Sequence, residues 1–139
     1  MKGINRYISG VFYIITGLLA AIGPQFIFPV CEDMADKRMK CFWTGRAEIG
    51  VGAVIAFLGI VILLVASDEV RIGIVSALTA LFVNVLLIPD VLIGVCGSNH
   101  MRCKSLTLPA LNILGAVGIV FGIVNIFFLI KKVKRNRKG

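Results

Sequence analysis

Four apolar runs, each long enough to cross a bilayer, constrain this chain more than any other feature. A transmembrane helix needs about 20 consecutive apolar residues. Residues 7–30 carry no charge, residues 47–66 carry only Glu48 near their start, residues 72–95 are interrupted by Asp90, and residues 106–130 carry none. Four such spans use nearly all of the 139 residues, which leaves no room for a separate soluble domain. The chain is 58% hydrophobic, against about 45–50% in an ordinary soluble domain. These observations exclude a soluble globular domain, a disordered tail and a nucleic-acid module. The net charge of +8 does not point to nucleic acid, because six of the fifteen Lys/Arg residues lie at 131–138, directly after an apolar run.

The first run follows Lys2 and Arg6 as the apolar part of a signal peptide would. It is long, however, and no small-x-small cleavage site follows it cleanly, so it is expected to stay. Internal similarity supports the same expectation. Pro24 precedes Cys31 as Pro89 precedes Cys96, and Met39-Lys40-Cys41 matches Met101-Arg102-Cys103. Thr44-x2-Ala47-x4-Gly52 then matches Thr107-x2-Ala110-x4-Gly115. The pattern predicts an all-α membrane fold, one four-helix transmembrane domain over 1–139. It is built from two parallel helix-loop-helix repeats, about 1–66 and 72–139. With both termini cytoplasmic, nine basic residues lie inside and six outside, which satisfies the positive-inside rule. Connectors 31–46 and 96–105 are then extracytoplasmic, outside a plasma (inner) membrane, and 67–71 is a tight cytoplasmic hairpin.

The two outer connectors gather the chemistry-bearing residues. Cys31, Met34, Met39, Cys41, Trp43, Cys96, His100, Met101 and Cys103 include all four cysteines, the single histidine and the single tryptophan. The first reading is structural: disulfides Cys31–Cys41 and Cys96–Cys103, each closing its own loop in an oxidising compartment. The second is a copper or zinc site, since thiolate, thioether and imidazole are soft or borderline ligands, although no CxxC pair is present. The third is thiol–disulfide catalysis coupled to quinone, whose membrane enzymes share the layout of a cysteine pair in each outer loop. The Cys-x9-Cys and Cys-x6-Cys spacings lack the CxxC of a low-pKa exchanging pair. No cofactor is expected under the structural reading.

Polar residues within the spans add candidates for a ligand or partner site. Asp90 follows Pro89 and lies six residues before Cys96, roughly 9 Å in a helix. It either lines a shallow polar cavity with its repeat equivalent Gln25, or pairs with Arg46, Arg102 or Lys104 at the outer interface. Pro89 is expected to break its helix locally. Glu48 is expected near a helix N-terminus, with Thr44 as cap. Asn84, Asn112 and Asn125 are expected to hydrogen-bond between helices, and Trp43 to anchor at the interface. Gly50, Gly52, Gly115, Gly118 and Gly122 are candidates for close helix contact. The basic tail 131–138 reads as a solvated anchor for anionic lipid. There is no P-loop, GxSxG, HExxH or CxxCH motif.

At Cys96-x3-His100-Met101-x-Cys103-x3-Thr107-Leu108-Pro109-Ala110 the chain resembles an uncharacterised prokaryotic four-span family, domain of unknown function 4418. Met39-x-Cys41-x2-Thr44-x2-Ala47-Glu48-x-Gly50 is similar to that family's other motif, and the likeness covers almost the whole chain. Where the family often has His after the first-loop Cys, this chain has Phe42, which weakens any role needing two histidines. The resemblance implies an accessory role beside an ABC-type exporter permease and implies no known reaction. Beyond the lipid bilayer, the expected partner is another membrane protein or a further copy of the chain.

Overall fold

The computed structural model describes residues 3–23, 26, 40–92, 106 and 108–139. The described residues form four helices: α1 (Ile4–Ile22), α2 (Lys40–Leu64), α3 (Asp68–Leu87) and α4 (Leu108–Lys138). A π-helical turn, Ile88–Leu92, continues α3. All four helices are long and apolar enough to cross a membrane.

Each helix buries one stripe. On α1 it holds Ser9, Gly10, Tyr13, Thr16, Gly17 and Ala20. On α3 it holds Arg71, Val75, Leu78, Phe82 and Val85, and on α4 it holds Leu111, Gly115, Gly118, Gly122, Asn125 and Leu129. Alternating steps of three and four residues keep such a stripe facing one neighbour. The remaining faces carry large apolar side chains in the open, such as Phe57 at 63% and Phe127 at 70% exposure. In water that surface is an aggregation hazard, and in a bilayer it is the lipid contact. The chain is a multi-pass membrane protein.

Hydrocarbon offers no hydrophobic drive for one helix to bind another, so packing must supply it through close approach. Glycine makes that approach in α1 and α2. A methyl on Gly17 would stand 2.5 Å from the Ala56 nitrogen, and one on Gly52 would stand 2.5 Å from the Ala21 nitrogen. Gly59 lies somewhat less tightly against Ile14, whose nitrogen would be 2.9 Å from an added methyl. The second hairpin is built differently: Gly115 and Gly118 of α4 receive the side chains of Leu86 and Phe82 from α3, and Gly122 receives Thr79. Four of the five glycines expected at contacts are there. Gly50 is not, since a methyl on it would meet nothing within 4 Å. Gly10, Gly17 and Gly59 went unrecognised, although Gly10 and Gly17, and Gly52 and Gly59, share a seven-residue spacing that marks one helix face.

Contacts within the α1–α2 and α3–α4 pairs dominate, and narrower α2–α3 and α1–α4 seams join the two hairpins. The α1–α4 seam stacks Phe12 on Phe121, with ring centroids 3.9 Å apart. One turn away, Asn125 Nδ2 donates to Ser9 Oγ at 2.6 Å, both groups buried. Neighbouring helices run antiparallel, which sets the start of α1, the α2–α3 turn and the end of α4 at one end of the bundle.

Boundaries differ from the expectation in ways that matter chemically. The helix of α3 begins at Asp68, so the turn shrinks to residues 65–67, and Asp68 and Glu69 occupy a first turn that favours anions. The basic tail is the helical end of α4. Its lysines and arginines are good helix formers, and cations suit a helix C-terminus. Pro89 widens its helix into the π-turn and does not break it.

Asn125 tests the joint between the hairpins. Asn125→Ala and Ser9→Ala should each lower unfolding free energy in mixed detergent by roughly 0.5–2 kcal/mol. The double variant should lose little more than either single change, as measured by a double-mutant cycle.

Candidate functional site

Polar residues cluster at the two ends of the bundle. Toward the end that joins α1 to α2 and α3 to α4 stands Glu48. Since α2 starts at Lys40, Thr44 is inside the helix and does not cap it, and Glu48 lies two turns in. Its exposure is 0%, and neither carboxylate oxygen has a hydrogen-bond partner among the described residues. The helix N-terminus expected near Glu48 lies two turns earlier, at Lys40. Burying a carboxylate without a partner is costly, and within a span such a group is ordinarily functional. Asn112, also early in its helix, has a buried Oδ1 without a partner among the described residues. Asp90 is exposed in the π-turn beside buried Pro89. Trp43 is about half exposed near the start of α2.

Gln25, Cys31, Met34, Met39, Cys96, His100, Met101 and Cys103 lie outside the described residues, and Cys41 is described only as backbone in the first turn of α2. The disulfide, metal and redox readings concern those positions. Of the three span asparagines, Asn125 bonds across helices as expected. Asn84 is exposed and donates to the Ala80 carbonyl of its own helix at 3.2 Å.

At the opposite end, Arg71 is buried at 1% exposure, which no apolar-run pattern announced. Its Nη1 donates to Asp68 Oδ1 at 3.0 Å, and Lys132 Nζ of α4 reaches Asp68 Oδ2 at 2.8 Å. The i, i+3 spacing of Asp68 and Arg71 in a first turn was the available signal. One carboxylate thus ties α3 to α4 while serving two cations. Arg71 Nε and Nη2 and Arg6 Nε are buried without partners among the described residues. Around them is a cavity of about 200 Å³ lined by Gly3, Arg6, Ala66, Asp68, Arg71 and Lys132. The exposed pair Arg137–Glu69, at 3.7 Å, lies nearby and contributes little.

A model of the family described as domain of unknown function (DUF4418) matches residues 13–128. No curated protein and no solved structure matches the chain.

Proposed function

The chain belongs to the DUF4418 family, a domain of unknown function, and we propose that it is a small non-enzymatic membrane protein acting as an accessory subunit. It docks through α3 on a transmembrane helix of a larger assembly, and the family resemblance points to an ABC-type transporter as the kind. The outward face of α3 carries this reading. Gly73, Ser76, Ala77, Ala80 and Asn84 are all exposed, and a methyl on Gly73 would meet nothing within 4 Å. Ser76 donates to the Gly73 carbonyl of its own helix, and Asn84 spends one N–H on the Ala80 carbonyl, which leaves its amide further bonding capacity. The outward face of α4 presents Ile113, Val117, Val120, Val124 and Phe127 instead. Small residues let a partner backbone approach closely, and an amide in hydrocarbon gains by bonding to one.

Two helix-loop-helix repeats underlie the architecture in this reading. In support, buried Glu48, Gly52, Ile55, Gly59 and Ile62 of α2 stand as far from Leu111, Gly115, Gly118, Gly122 and Asn125 of α4 as Thr44 stands from Thr107. Both termini are cytoplasmic, because the shared end of the bundle carries the basic end of α4. The loops outside a plasma (inner) membrane are closed by Cys31–Cys41 and Cys96–Cys103, with each pair inside its own repeat.

Extraction from native membranes in mild detergent should recover a larger membrane protein with the chain. Ala77→Leu with Ala80→Leu should cut that recovery roughly tenfold, the worth of a 1–2 kcal/mol helix contact. Ala116→Leu, on the outward face of α4, should leave it intact. Recovery of the chain alone, or only of a second copy, contradicts the assignment. In the same sample, alkylation should label none of the four cysteines until a reductant is added. Labelling without reductant contradicts the closed loops.

A further inference from the structure

We propose that the cavity between the start of α1, the α2–α3 turn and the end of α4 binds the phosphate of an anionic phospholipid. Three cationic side chains, Arg6, Arg71 and Lys132, line it with one carboxylate, Asp68. Asp68 is already engaged by both Arg71 and Lys132, so one carboxylate faces three cations and leaves uncompensated positive charge in a half-open cavity. A buried guanidinium is stable only when its donors are met. Arg71 uses Nη1 on Asp68, and its Nε and Nη2 have no partner among the described residues. Arg6 Nε is in the same condition, and the Arg6 guanidinium carbon lies 5.3 Å from the Tyr7 ring centroid. A phosphate offers several acceptor oxygens to such a pair, and guanidinium forks match that geometry.

Position selects a lipid as the source. The cavity sits where apolar spans give way to charged helix ends, the depth of a headgroup. A second cavity of about 200 Å³ adjoins it through Lys132 and is lined by Phe128, Lys131 and Arg135. Phe128 is exposed on the lipid side, so apolar contact for acyl chains and basic contact for a headgroup occur side by side. Arg6 and Arg71 also have the same separation as Pro24 and Pro89, each just before the apolar run that opens its half of the chain.

The test uses the full chain, delipidated in neutral detergent, with lipid retention read by native mass spectrometry and stability by thermal unfolding. Phosphatidylglycerol should be retained and should raise the unfolding temperature, while phosphatidylcholine should do neither. Arg71→Met, which keeps the Asp68–Lys132 pair, should weaken retention roughly tenfold, the loss of about one charge-assisted hydrogen bond. Arg6→Gln should weaken it in the same direction, and serves alone if Arg71→Met does not fold. Lys134→Gln with Lys138→Gln, in the tail outside the cavity, should leave retention near that of the unaltered chain. Loss with the tail variant but not with Arg6→Gln or Arg71→Met overturns the proposal, because the tail would then be the binding element. Equal stabilisation by inorganic phosphate also overturns it, by identifying a free anion as the occupant.

Discussion

The structure depends on two backbones lying against each other at Gly17 and Gly52. Neither position has room for a methyl group. Apolar side chains gain nothing by leaving lipid for one another, so a hairpin in a bilayer needs many short contacts or hydrogen bonds to hold. Closing α1 on α2 in this way aligns Gly10 and Gly59 along the same seam and aims Tyr13 at the second hairpin, with its ring 6.1 Å from Phe82 and 5.6 Å from Phe121. Bulky faces are left outward for lipid. The second hairpin reaches similar closeness by another route, with Phe82 lying over Gly118.

The four spans were legible because hydrocarbon tolerates so few charges that charge-free runs stand out. Their ends were less legible, because charged residues continue a helix as readily as they end it. Asp68 and Glu69 begin α3, Lys131–Lys138 finish α4, and Glu48 lies within α2. In all three places the helix extends past the charge-free run. The glycine seam of α1 was missed for a different reason: Gly10 and Gly17 look like ordinary small residues until Gly52 and Gly59 are seen at the same spacing on the facing helix. Much of the candidate chemistry, from Gln25 to Met39 and from Cys96 to Cys103, falls outside the described residues.

The two ends of the bundle have opposite character. One holds the Glu48 carboxylate and the Asn112 Oδ1 without partners among the described residues, near the connections that carry the cysteines. The other holds Arg6, Arg71 and Lys132 around Asp68. The described end of α4 is basic, and the outward face of α3 presents Gly73, Ser76, Ala77 and Ala80.

Thermal unfolding in lipid bicelles of Gly52→Leu beside Gly50→Leu tests the central claim most directly. The two glycines stand two positions apart on one helix and face different surroundings: a methyl on Gly50 would meet nothing within 4 Å, and one on Gly52 would stand 2.5 Å from the Ala21 nitrogen. Gly52→Leu should lose at least about 1–3 kcal/mol, the usual cost of overpacking, and Gly50→Leu should stay near the unaltered protein. Equal behaviour of the two variants would mean that α1 and α2 do not meet at Gly52, and would contradict the account.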